Sequence, residues 1–328
     1  MSDDAAFRPI PGDVLPRFAG VPTFMRLPHV PPDDPRAERV DIGLIGVPWD
    51  GGTTNRPGAR HGPRQMRDLS TMMRNVHHVT GVQPFRAARC ADMGDSPVNP
   101  IQLDDTLARV EAFVAALHAQ AIKPLTAGGD HLITLPVMRA IADRARPLGM
   151  VHFDAHTDTW DRYFGGAQYT HGTPFRRAIE EGLLDPKRTI QIGIRGGLYN
   201  ATDKEWGLAQ GIRVVEIEEY FDLGPDRVAA LARETVGEGP VYVSFDVDGL
   251  DPVYAPGTGT PEIGGYSTHE AQRMLRALRG LDIVGADVVE VSPPFDPSGT
   301  TALVGVTLMW EILCLMAERV GRDREGAS

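Results

Sequence analysis

The stretch "GMVHFDAHTDTW", residues 149–160, is an apolar, strand-like run that stops abruptly in Asp154, His156 and Asp158. Along an extended chain, side chains at every second position share one face, so these three groups converge if the strand geometry persists past the sheet edge. Carboxylates crowded in this way repel, and some of them must hold a proton unless a cation lies among them. The pattern therefore asks for a cation at a strand end.

Working outward, the same signature recurs twice. "IKPLTAGG" (122–129) runs into Asp130 and His131, and "PVYVSFDVD" (240–248) runs into Asp246 and Asp248, with Asp251 following. This donor set is oxygen-rich, carries some imidazole and has no sulfur, which suits Mn²⁺, Ni²⁺, Co²⁺ or Fe²⁺ better than a structural zinc. The assignment places His131, Asp154, Asp158 and Asp246 around one ion or bridging, and His156 and Asp248 mainly on a second, with two aspartates shared. Two ions roughly 3.5–4 Å apart would hold a water between them and lower its pKa. Asp130 and Asp251 are read as turn or supporting residues, and His152 as a packing residue.

Further runs at 40–48, 88–94, 189–195, 212–217 and 282–291 bring the number of expected strands to eight, most of them separated by helical patterns. In "DDTLARVEAFVAALHAQ" the residues Leu107, Val110, Phe113, Val114 and Leu117 share one helical face. Such an alternation predicts a mostly parallel sheet with helices on both faces. In sheets of this kind ligands bind beyond the carboxyl ends of the strands, where the acids fall. Residues 39–320 read as one domain, preceded by a proline-rich extended arm (1–38) and followed by a flexible tail (321–328).

Composition narrows the function classes. The chain has 328 residues, 42% hydrophobic and 23% charged, with a formal net charge of −11 and no Lys/Arg block, which argues against a nucleic-acid surface. Its two cysteines, Cys90 and Cys314, form no CxxC pair, which argues against a disulfide framework or a thiolate zinc site and fits a reducing compartment. The apolar segment 302–317 is short for a membrane span and contains Glu311, so it is expected to be a buried helix. The acidic, proline-rich start lacks a signal core, and the expectation is a cytoplasmic protein with no membrane partner.

Taken together, "GGDH" (128–131), "DAHTD" (154–158), "SFDVDGLDP" (244–252) and "EVSPPFD" (290–296) resemble the ureohydrolase family of arginase, agmatinase, guanidinobutyrase, guanidinopropionase and formiminoglutamase, over residues 15–320. The resemblance implies a three-layer α/β/α fold with an eight-stranded, mostly parallel sheet. It implies two divalent metal ions per subunit, Mn²⁺ by expectation and Ni²⁺ as the alternative, in a homo-trimer or homo-hexamer. The implied reaction cleaves the C–N bond of a guanidino compound, giving urea and an amine. Glu290 matches the family's guanidinium-binding carboxylate and His171 its histidine near the leaving group, while Asp158 is placed to take the attacking water's proton and pass it to the departing nitrogen.

"RFAGVPTFMRLPHV", "GVPWDGGTTNRPGARHGPR" and "APGTGTPEIGG" are similar to the guanidino-acid branch, which points to 3-guanidinopropionate or 4-guanidinobutyrate. Arg162, Tyr163 and Tyr169 in the loop 159–170, with Asn55 and Arg56 after the first strand, are candidates to receive the substrate carboxylate. Trp160 and Trp310 pull the other way. An indole filling the pocket would favour a compact cation stacked on the ring, such as guanidine, a methylguanidine or a biguanide such as metformin. A further alternative is a subunit of a hetero-oligomeric hydrolase of that kind.

Overall fold

The computed structural model describes residues 3–200 and 202–326. Eight strands form one sheet: β1 (Ile42–Val47), β2 (Cys90–Asp95), β3 (Lys123–Gly128), β4 (Leu148–Phe153), β5 (Leu184–Ile194), β6 (Arg213–Glu216), β7 (Pro240–Asp246) and β8 (Asp282–Val289). Their spatial order is β2-β1-β3-β8-β7-β4-β5-β6, and every neighbouring pair is parallel. All eight expected strands are present.

The period-two alternation of each strand builds the two outer layers. Leu44, Val151, Phe153, Val243 and Phe245 face the helices Pro225–Val236, Thr268–Ala277 and Thr300–Gly326. Ile45, Val47, Met150, Tyr242 and Val289 face Leu103–His118, Thr134–Ile141 and Pro174–Glu180. With both faces covered, the strands are buried almost throughout, as parallel sheets require. In Leu103–His118 the buried stripe is Thr106, Leu107, Val110, Val114 and Leu117, with Phe113 only partly buried.

Two segments depart from expectation. The arm is tied to the body rather than extended from it. Phe7, Phe24, Met25, Leu27 and Val30 are buried, the Phe24 amide donates to Asp92 Oδ2 at 2.8 Å, and the Met25 amide donates to Ser70 Oγ at 2.7 Å. The last helix runs through Gly326, so residues 321–326 are helical where a tail was expected. That helix is long and apolar enough to cross a membrane by composition, yet 78% of its apolar window is buried inside the fold. Its buried Glu311 is compensated by Arg276 Nε at 3.0 Å and His77 Nε2 at 2.7 Å.

Candidate metal centre

The sheet order makes neighbours of four strand ends that are scattered in sequence. β3, β8, β7 and β4 lie side by side. Their carboxyl ends deliver His131, Glu290, the pair Asp246 and Asp248, and the trio Asp154, His156 and Asp158.

Strand geometry alone does not bring the trio together. β4 stops at Phe153, and the chain turns through Asp158, whose φ of 50° is left-handed. Glu290 likewise has φ 63°. Non-glycine residues held there cost about 1–3 kcal/mol each, and such positions cluster at functional sites.

His131 Nδ1 lies 3.1 Å from Asp154 Oδ2, 3.0 Å from Asp158 Oδ2 and 3.2 Å from Asp246 Oδ2. On its other side, Nε2 is 2.8 Å from Ser244 Oγ, which donates its only proton to Asp287 Oδ1 at 2.6 Å. Ser244 must therefore accept from Nε2–H, so in the neutral ring Nδ1 carries a lone pair. That lone pair faces three carboxylate oxygens at full burial and has no hydrogen-bond partner. The arrangement is balanced only by a cation in the slot, either a proton or a metal ion.

A second lobe adjoins the first. His156 Nδ1 lies 3.1 Å from Asp248 Oδ2 and 3.4 Å from Asp154 Oδ1. Ligand atoms of His131, His152, Asp154 and Asp158 fall within 4.8 Å of one another, as do those of Asp154, His156 and Asp248. Asp154 is common to both sets. The six residues expected as ligands are thus gathered in two lobes of oxygen and imidazole, a donor set that fits a pair of divalent ions.

Protonation follows from the crowding. Burial, then the charges of Asp248 and Asp154, raise Asp246 well above the carboxylate range. Burial, then Asp154, raise Asp248 to about 6. Burial opposes charge on His131, but the Asp154, Asp158 and Asp246 carboxylates, which a second ring proton would face, outweigh it and its pKa lies well above normal. Burial likewise opposes charge on Asp154, but His152 beside it keeps that carboxyl well below its normal value. His152 Nε2 sits 2.7 Å from Asp154 Oδ2. His152 is therefore not the simple packing residue expected; it orients the shared aspartate.

Next to the lobes, Glu290 Oε1 accepts from the His131 amide at 3.0 Å and lies 2.8 Å from His171 Nδ1. Glu290 Oε2 is buried without a partner. Burial opposes a charged His171, but Glu290 raises its pKa to about 9. Asp130 supports the site as expected, its Oδ2 accepting from the Gly52 amide at 2.6 Å and its Oδ1 from Leu132 at 3.1 Å. Gly52 is needed there, since a Cβ would fall 2.9 Å from Asp130 Oδ2 and 3.2 Å from the His171 amide nitrogen.

A cavity of about 320 Å³ opens over the lobes, and its wall includes Thr54, Trp160, Tyr163, His171, Tyr199 and Glu262. Trp160 and Tyr163 lie in that wall. The five other specificity candidates lie outside that wall. Arg162 is exposed, lies outside the wall and pairs with Asp161 at 2.9 Å. Asn55 donates to the Gly259 carbonyl at 3.0 Å and closes a loop contact rather than facing the cavity. Trp310 is buried in the last helix, its ring stacked 4.8 Å from His77. Arg56 and Tyr169 also lie elsewhere, Arg56 over the ring of Phe295 at 4.3 Å and Tyr169 beneath Arg139 at 5.7 Å.

Several contributors carried no sequence signal of the kind sought. Ser244 and Asp287 lie inside strands, Glu262 and Thr54 in loops, and Arg195 donates to five backbone carbonyls, those of Gly193, Asp248, Gly249, Leu250 and Glu262. Only Thr54, in the glycine-rich "GGTTN" after a strand, sat where a ligand loop was to be looked for.

Fold and site together define a parallel α/β protein whose central strand ends gather carboxylates and imidazoles as a cation site does. The chain belongs to the arginase family, whose model matches residues 40–315. It is 62% identical over 323 residues to the guanidinopropionase of Pseudomonas aeruginosa, covering 98% of this chain and 100% of that one. It is 46% identical to the guanidinobutyrase of the same organism, covering 98% and 100%. Among solved structures, proclavaminate amidino hydrolase from Streptomyces clavuligerus superimposes with a TM-score of 0.87 at 42% identity, covering 93% of this chain and 99% of that one.

Proposed function

We propose that this chain is a dinuclear-metal hydrolase that cleaves the guanidino C–N bond of a guanidino acid, 3-guanidinopropionate or 4-guanidinobutyrate, to urea and an amine. The observation that carries the reading is the unpartnered Nδ1 of His131 facing three carboxylate oxygens in the lobe nearest Glu290. The end-to-end similarity to a guanidinopropionase supports the substrate class.

In this reading His131, Asp154, Asp158 and Asp246 would hold one ion or bridge, and His156 and Asp248 would hold mainly the other, with two aspartates shared; Asp154 is common to both lobes. Mn²⁺ is the expected metal and Ni²⁺ the alternative, since the intrinsic affinity order favours Ni²⁺ and supply decides. Bound there, the ions supply Lewis acidity and lower the pKa of water. Glu290 Oε2, buried and unpaired, receives a guanidinium N–H and fixes the plane of the cation. His171 carries a proton toward the leaving nitrogen, and Asp158 takes one from the attacking water. Trp160 and Tyr163, with rings 5.2 Å apart, wall the substrate tail.

One observation favours a second reading. Arg162 is outside the cavity while Trp160 is in its wall, an arrangement that suits a compact or uncharged-tail guanidine stacked on the indole. A urea-release screen separates the two. It would run both guanidino acids, agmatine, arginine, guanidine, methylguanidines and biguanides, each with Mn²⁺ and with Ni²⁺. The first reading predicts the highest kcat/KM for a guanidino acid, and silence across the whole panel rejects both.

The same reading places the enzyme in the cytoplasm as a homo-trimer or homo-hexamer. The two buried free thiols support the compartment. A hetero-oligomer is the alternative, and activity of the purified single chain would exclude any need for it.

A further inference from the structure

Both ring nitrogens of His171 are engaged. Nδ1 lies 2.8 Å from Glu290 Oε1, while Nε2 lies 2.7 Å from Thr54 Oγ1 and 3.1 Å from the Thr54 amide nitrogen. An amide N–H can only donate, so in the neutral ring Nε2 accepts and the proton sits on Nδ1, directed at Glu290, whereas in the charged ring Nε2 carries a second proton that faces the Thr54 hydroxyl. Glu290, His171 and Thr54 form a continuous hydrogen-bonded line that starts in the buried interior and ends in the cavity wall.

The loop that carries Thr54 is clamped on both sides. The His171 amide donates to the Gly52 carbonyl at 2.9 Å, and the Gly52 amide donates to Asp130. Beyond Thr54, Asn55 and Arg56 reach the backbone carbonyls of Gly259 and Thr258, and Asp50 accepts from the Gly58 amide at 2.7 Å. Moving Thr54 aside would break several of these bonds. His171 itself lines the cavity, but its Nδ1 faces Glu290 and its Nε2 faces Thr54, so a proton leaving Nε2 meets the Thr54 hydroxyl first.

We propose that the Thr54 hydroxyl is the last proton carrier between His171 and the departing nitrogen of the substrate. The proposal rests on the hydrolase reading above. As the C–N bond breaks, its electron pair goes to nitrogen. That nitrogen takes the Thr54 hydroxyl proton while Thr54 Oγ1 takes the proton on His171 Nε2. His171 ends neutral, in the arrangement seen here, with Thr54 donating to Nε2. Over the whole reaction the attacking water gives up two protons and the amine gains two, so no external acid or base is consumed. The charged groups that face His171 are Glu290 after β8, Asp158 after β4 and Asp130 after β3, and each favours the protonated ring.

The test compares the parent chain with Thr54→Val and Thr54→Ser. Loaded with Mn²⁺ and given 3-guanidinopropionate, Thr54→Val should lose kcat by about 10²-fold or more, within the range set by loss of a positioned proton donor. KM should stay within about threefold and metal content should not change, while Thr54→Ser should recover most of kcat. Nitrogen-15 NMR of the histidine-labelled, Zn²⁺-loaded protein gives a readout independent of turnover. With valine only the amide N–H faces Nε2, and it pairs only with the unprotonated ring, so the pKa of His171 should fall and serine should restore it. A Thr54→Val enzyme with kcat within twofold of the parent, or an unshifted His171 titration, overturns the relay alone. A parent that releases no urea from any guanidino compound overturns the hydrolase reading and the relay with it.

Discussion

Ser244 fixes the tautomer of His131, accepting from Nε2 at 2.8 Å while its own proton goes to Asp287. Asp287 also accepts from Thr134 Oγ1 at 2.6 Å and Tyr242 OH at 2.7 Å, so three buried hydroxyls hold it in place. The His131 imidazole is thus oriented from Asp287 through two hydrogen bonds.

That relationship sets the first prediction. Ser244→Ala frees the ring to rotate and to adopt the other tautomer, and metal affinity should fall about 10–100-fold. At saturating metal, kcat should return to near the parent value. Metal titration followed by urea release measures both, and unchanged affinity would remove Ser244 from the account.

Metal affinity should also rise with pH between 6 and 8. In the metal-free protein His131 and His156 have pKa values raised well above normal, and Asp248 is raised to about 6. Across this window the two histidines hold protons that an incoming ion must displace, while Asp248 gives up its own near the lower end. The signs for stability agree. Groups with raised pKa contribute stability at low pH that is lost as pH rises through the folded value, so the metal-free chain weakens across this window. The lowered Asp154 acts oppositely, but only below the normal carboxylate range. The gap in Tm between loaded and metal-free protein should therefore widen with pH, as calorimetry can show.

Activity should have an alkaline limb set by His171. Its pKa near 9 is raised, so the protonated ring is present below that value and is lost as pH rises through it. Glu290→Gln removes the main charge that favours the protonated form, and the limb should move to lower pH. His171→Asn should cost about 10²–10⁴ in kcat with a smaller change in KM. A pH–rate profile of kcat for each variant is the check.

The pocket wall predicts a contrast between adjacent segments of one loop. Arg162→Ala should leave KM for 3-guanidinopropionate within about twofold, because the Arg162 Nε is bonded to Asp161 outside the cavity. Trp160→Ala should weaken kcat/KM about 10–200-fold, the range for losing apolar pocket contacts. An Arg162→Ala enzyme that loses selectivity for the acid would return the carboxylate-binding role to Arg162.

Trp310→Ala should act on stability alone. The indole is buried against His77, and its loss should cost about 3–5 kcal/mol. Denaturant melts should register the loss, while kcat/KM at low temperature should stay close to the parent.

The strand runs and the acidic clusters were legible in sequence because both depend on local spacing. Asp154 through Asp158 and Asp246 with Asp248 are near neighbours in the chain, and oxygen and imidazole donors announce a cation. The sheet order was not legible, and it is what sets β3, β8, β7 and β4 side by side. The turn at Asp158 was also hidden, since a left-handed aspartate has no distinctive local signal. Specificity residues were the least readable. Arg162 and Asn55 have side chains suited to a carboxylate, but solvent and loop carbonyls satisfy such groups equally well. Trp310 shows the same limit, because a tryptophan in an apolar helix reads alike whether it lines a pocket or packs in a core. Ser244, Asp287 and His152 act only through the fold that brings them to a ligand.

The central claim is that two cations share Asp154 between His131 and His156. Native mass spectrometry of the Mn²⁺-loaded chain, read together with elemental analysis, tests it most directly. The account predicts two ions per chain in the parent, and near-complete loss of both in an Asp154→Ala variant that still folds. One ion per chain, or two that survive Asp154→Ala, would contradict it.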